Sequence, residues 1–140
     1  MLRMSKLADY SFIVMAQMAR QPQTLWSVTA LAEATTLPVP TVAKLMKRLA
    51  QNALVRAQRG AMGGYVLAYA PHAVSLAVIL EAIDGPISLT ACANSNERCH
   101  CAASWCAVRQ NWGPINQTIR QYLNELYLAD LAFERRMGEA

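Results

Sequence analysis

Apolar residues along the first fifty positions recur at helical spacing. Leu7, Tyr10, Val14 and Met18 step by three and four and predict a first helix over Leu7–Met18, ended by Gln21-Pro22. Ser27 is placed to cap a shorter second helix running through Leu31 and Ala32 to about Thr35. After a turn at Thr36–Val39, Pro40 stands where a first-turn proline costs no hydrogen bond. Val42, Leu45, Met46 and Leu49 then define the third helix by i, i+3, i+4, i+7 spacing, with Thr41, Lys44, Lys47, Arg48 and Gln51 on the other face. The period changes next. Leu54–Gln58 and the alternating Tyr65–Tyr69 are strand candidates, separated by Arg59-Gly60-Ala61-Met62-Gly63-Gly64. Beyond Pro71-His72, Ser75 can cap a helix with Leu76, Ile79, Leu80 and Ile83 on one face, closed by Asp84-Gly85-Pro86. A long amphipathic helix starts near Trp105 or Gly113 and carries Ile115, Ile119, Tyr122, Leu123 and Leu126 to about Tyr127, whereas Phe133–Ala140 shows no pattern.

These elements predict a mainly α fold with a small β-hairpin wing: a winged helix-turn-helix followed by a C-terminal dimerisation helix. Residues 1–71 form the DNA-binding module and residues 72–140 the cysteine loop and dimer helix. No linker separates the two, so one shared core is expected. The hairpin tip, with three glycines in five residues, is free to take positive φ and to approach another surface closely through Gly63 and Gly64. Arg59 beside it is placed to reach a phosphate or the minor groove, where negative potential favours arginine. The nucleotide-binding pattern G-x-x-x-x-G-K is missing from this loop.

Charge sharpens this division. The chain of 140 residues has a net charge of +4, but residues 1–71 carry eight Lys/Arg against two acidic residues, and the remainder five against seven. Positive charge gathered in the half bearing the helix-turn-helix is the footprint of a polyanion binder. No apolar run reaches the length of a membrane helix, and Asp9, Gln17 and Arg20 interrupt the N-terminal segment, so neither a span nor a signal peptide is expected. A cytoplasmic protein follows. In that reducing compartment clustered cysteines are metal ligands or redox sensors more often than disulfides.

All four cysteines, Cys92, Cys99, Cys101 and Cys106, fall within one fifteen-residue stretch. Their spacing lacks the paired C-x2-C of structural zinc sites, and the small or polar residues Ala93–Arg98 suit a loop wrapped around something bulky. Several thiolates on one loop suit an iron–sulfur cluster; zinc or another metal, and a redox disulfide or free thiols, remain open by spacing alone, and His100 offers a further donor. The two histidines, His72 and His100, adjoin no nucleophile–base pair, and the acidic residues do not cluster, so no catalytic constellation is present.

The sequence resembles the bacterial winged-helix regulators of the IscR, NsrR and RirA family, most closely the branch that regulates SUF iron–sulfur assembly operons. The resemblance rests on Leu2–Lys6 with Asp9-Tyr10, Leu31-Ala32-Glu33 through Leu49, the wing Arg59–Leu67, Ile83–Ile87, the cysteine loop and Leu128–Leu131, and so spans nearly the whole chain. It implies a homodimer on a double-stranded operator, acting as a repressor, with a [2Fe–2S] or [4Fe–4S] cluster held by three cysteines and a variable fourth ligand. Cys92 and Cys106 match the outer cysteines, while Cys99 and Cys101 compete for the middle position. Arg109 stands where some relatives place a ligating histidine, and Asp9 matches the aspartate that others contribute from the first helix of the partner subunit; an all-cysteine site is the alternative. In the DNA module the resemblance implies contacts from Pro40, Thr41, Lys44 and Arg59, while Ala43 replaces a glutamate that reads cytosine in some relatives; Lys47 and Arg48 of the basic face and Gly63 and Gly64 of the wing complete the candidate DNA-binding set. A thiol-redox or zinc-dependent regulator without a cluster is the competing function.

Overall fold

A computed structural model describes residues 3–90, 93, 106 and 108–133. Helix α1 (Lys6–Ala19) is capped by the Ser5 side chain, which accepts from the amide of Ala8 at 3.0 Å. Ser27 caps α2 (Val28–Thr35) in the same way. Thr36 then takes the left-handed conformation (φ 57°), an uncommon position for a β-branched residue, and the amide of Leu37 reaches back to the Ala32 carbonyl at 3.1 Å. That reversal feeds directly into α3 (Val39–Gln51), which has Pro40 in its first turn.

Strands β1 (Val55–Gln58) and β2 (Gly64–Leu67) form an antiparallel hairpin with Val55 opposite Leu67 and Gln58 opposite Gly64. A 3₁₀ turn at Pro71–Ala73 leads to α4 (Leu76–Asp84), capped by Ser75 and ended at Gly85 with φ 83°. The long helix α5 (Arg109–Glu125) contains Pro114. A short α6 (Leu128–Ala132), unmarked by any periodicity, follows it and packs on α1. Its first residue, Leu128, is fully buried, and its amide donates to the Val74 carbonyl at 2.8 Å.

One apolar cluster takes in Val14, Met15 and Met18 of α1, Leu31 of α2, Leu45, Met46 and Leu49 of α3, Val55 and Leu67 of the hairpin, Ile79 and Ile83 of α4, and Leu128 of α6. The amphipathic face of α3 is therefore anchored in a core to which helices on both sides of Pro71 contribute. In α5 the apolar stripe divides. Ile119, Leu123 and Leu126 are half-buried, whereas Ile115 and Tyr122 are 44% and 56% exposed. Among the described residues no helix is long and apolar enough to cross a membrane.

Candidate functional site

The solvent-facing side of α3 follows from its burial. With Val42, Leu45, Met46 and Leu49 fully inside, Pro40, Lys44 and Lys47 are left exposed and Thr41 half-exposed at the helix N-terminus. No side chain caps that end, where free amides and the helix dipole favour an anion. Among the described residues no carboxylate pairs with Lys44, Lys47, Arg56 or Arg59, so these cations are free to neutralise phosphates. Arg48 differs. It is half-buried, and its Nη1 donates to the carbonyl oxygen of Ile83 in α4 at 3.0 Å.

The wing places Arg59 at an exposed hairpin tip. Gly60 takes φ 123°, and the amide of Gly63 donates to the Gly60 carbonyl at 3.0 Å to close the turn. A Cβ on Gly63 would overlap the Gln58 carbonyl oxygen, and one on Gly64 the Trp26 carbonyl oxygen. Gly63 is thus demanded by the wing's own backbone and Gly64 by the stretch entering α2. The close approach at Gly64 reflects a bridge: the Trp26 amide donates to the Tyr65 carbonyl and the Tyr65 amide to the Trp26 carbonyl, each at 2.7 Å. The stretch entering α2 therefore acts as a third, short edge to the hairpin. The Trp26 side chain is partly buried against the core, with Nε1 buried and unpartnered.

Of the thiols, Cys106 is described, free and half-buried; Cys92, Cys99 and Cys101, with His100, lie outside the described residues. Asp9 is exposed in the first turn of α1. It lines, with Phe12, Leu80, Leu89, Ile119 and Leu123, a groove of about 590 Å³ between α1, the end of α4 and α5. Leu89, three residues before Cys92, thus borders the same groove as Asp9. Among the described residues no three His, Cys, Asp or Glu side chains converge.

Asn116 is a residue that sequence patterning passes over. It is buried on α5, accepting from the Leu89 amide at 3.0 Å and donating to the Ile87 carbonyl at 2.8 Å. Its amide completes the hydrogen bonding of a segment that belongs to no strand. The available signal is its spacing, since Trp112, Asn116, Ile119 and Leu123 share the inward side of α5.

A family model described as Rrf2, iron-dependent transcriptional regulator, matches residues 4–134. A helix-turn-helix-type transcriptional regulator of Synechocystis sp. is 31% identical over 140 residues, spanning 99% of this chain and 93% of that protein. IscR of Erwinia tasmaniensis is 32% identical over 88 residues, 63% of this chain and 52% of that protein. The structure of CymR, the global cysteine regulator of B. subtilis, matches with a TM-score of 0.74 at 28% identity, covering 94% of this chain and 97% of that one. With its helix-turn-helix, wing and unpaired basic surface, this chain belongs to the Rrf2 family, as a DNA-binding transcription regulator and not an enzyme.

Proposed function

We propose that this regulator is a cytoplasmic homodimer that senses an iron–sulfur cluster and represses iron–sulfur assembly genes. The observation that carries the reading is the tether at Ile87 and Leu89: the segment running into the cysteines is hydrogen-bonded to α5 by Asn116 and borders the groove that Asp9 lines. The donor set suits the cluster, with four soft thiols in fifteen residues and Cys106 uncommitted to any disulfide. Cys92, Cys106 and one of Cys99 and Cys101 would hold it, with Asp9 of the partner subunit or the remaining thiol as fourth ligand. A bound cluster supplies a cross-link sensitive to oxidants and to iron supply.

The residues on either side would convert that cross-link into an altered DNA grip. Pro40 and Thr41 present the N-terminus of α3 to the major groove, Lys44 and Lys47 contact phosphate or guanine, and Arg59 enters the minor groove from a wing shaped by Gly63 and Gly64. The exposed Ile115 and Tyr122 of α5, beside the groove, offer a two-fold partner surface. Two such subunits read half-sites about 34 Å apart. A cluster that binds one dimer arrangement better than the other shifts the population between two spacings of the α3 pair.

Anaerobically purified protein is expected to be coloured, to contain iron and acid-labile sulfide, and to change its operator affinity when a chelator strips the cluster. Separate Cys99→Ala, Cys101→Ala and Asp9→Ala variants would identify the ligands by their absorption spectra. Colourless protein with stoichiometric zinc would overturn the reading.

A thiol switch is the second reading, favoured by the similarity to a cysteine regulator. Cys99 or Cys101 would form a disulfide with Cys106, two thiols yielding two protons and two electrons to a peroxide. Thiol mass spectrometry of metal-free protein before and after peroxide separates the two.

A further inference from the structure

Arg48 follows Lys47 on the basic side of α3, and its charge alone suggests another phosphate ligand. Its guanidinium is committed elsewhere, at 3.0 Å from the Ile83 carbonyl, and one turn on Asn52 donates to the Ala82 carbonyl at 3.4 Å. These carbonyls belong to the last turn of α4, where they lack intrahelical partners and a cation is favoured by the helix dipole. The next residue, Asp84, accepts from the Ser5 hydroxyl at 2.5 Å and the Ser5 amide at 3.3 Å, at the start of α1. Glu81 pairs with Arg120 of α5 at 2.9 Å, and Asn116 of α5 holds Ile87 and Leu89. The strap Glu81–Leu89 is thereby tied to α3, α1 and α5 at once. For Arg48 to reach a phosphate, the Ile83 carbonyl would have to give up its charged partner.

We propose that Arg48 is a positioning residue: by holding the Ile83 carbonyl it fixes the aim of α3 to the strap Glu81–Leu89, so that movement of the strap or of α5 re-aims the DNA-reading helix. The inference rests on the reading of α3 as the DNA-facing helix. It assigns the residue through which the C-terminal half acts on that helix. Neither Lys44 nor Lys47 can do the same, because both point to solvent.

The test measures affinity for a random-sequence 30-base-pair duplex by fluorescence anisotropy across a potassium chloride series. Lys47→Met, loss of one phosphate contact in each subunit, is expected to reduce the slope of log affinity against log salt by about one per bound subunit. Arg48→Met, and the milder Arg48→Gln, are expected to leave that slope unchanged while weakening binding about threefold or more at every salt concentration. Asn116→Ala, on α5, is expected to weaken binding about threefold in the wild-type background and to add nothing to Arg48→Met, because both cut the same connection.

A slope reduced in the Arg48 variants as in Lys47→Met makes Arg48 a phosphate ligand and overturns the proposal while leaving the DNA-facing reading of α3 intact. If Lys47→Met leaves slope and affinity unchanged, that reading fails and the proposal fails with it. Purely additive effects of Arg48→Met and Asn116→Ala, or no effect of Asn116→Ala alone, overturn the coupling. None of these measurements depends on a bound cluster. Circular dichroism at the assay temperature confirms that each variant is folded, and Arg48→Gln supplies the decision should Arg48→Met not fold.

Discussion

Gly64 and Gly113 are both glycines, yet substitution should move stability in opposite directions. A methyl group on Gly64 meets the Trp26 backbone, which cannot withdraw without breaking the two 2.7 Å bonds of the bridge. Gly64→Ala is therefore expected to cost about 1–3 kcal/mol. At Gly113, inside α5, a Cβ meets nothing within 4 Å, and Gly113→Ala should stabilise by about 0.5–1 kcal/mol by restricting the unfolded chain. Urea unfolding of the two variants beside the parent checks both signs. The same contrast shows what a sequence reveals at this scale. A glycine cluster announces a tip, but the atom that Gly64 avoids belongs to the distant Trp26 backbone. Arg48 is a parallel case, since its charge is visible in the sequence and its partner, a main-chain carbonyl, is not. Asn116 is hidden for the converse reason: a polar residue in a helix looks solvated until the segment it holds is known.

At the scale of elements, legibility followed length and periodicity. Helix α3 could be placed from Val42, Leu45, Met46 and Leu49 because thirteen residues give a full apolar face and its first turn carries Pro40. The hairpin was legible from its glycines and its change of period. Helix α6 was not, because five residues are too few to show a period, and its existence depends on one buried leucine and on bonds to α4's leader. Leu128→Ala is accordingly expected to cost about 2–5 kcal/mol, since the void opens between α6 and α1 with no side chain free to fill it. Removal of the α4 cap by Ser75→Ala should cost about 1 kcal/mol. Thermal melts followed at 222 nm distinguish the two by size. Spacing does not divide the stripe of α5, in which Ile115 and Tyr122 share the periodicity of Ile119 and Leu123 but not their burial.

At the scale of the whole molecule, the exposed part of that stripe carries the dimer proposal. Tyr122→Glu is expected to shift the sedimentation coefficient to that of a monomer with unchanged helix content, because the 56% exposed ring contributes little to its own subunit's core. A dimer that persists with an unchanged association constant would place the partner surface elsewhere. Affinity for duplex DNA should fall steeply with salt, with Lys44, Lys47 and Arg59 each contributing about one to the slope per bound subunit. The Trp26–Tyr65 bridge sets a further condition on the duplex. Because the stretch entering α2 is hydrogen-bonded to the wing, and α2 turns tightly into α3, the two elements proposed to grip DNA, α3 and the hairpin bearing Arg59, form a caliper of fixed span. A caliper cannot widen to suit its object. On the proposed reading the DNA has to bring its minor groove to Arg59, and sites in which that narrowing is cheap should be favoured even at base pairs the protein never touches.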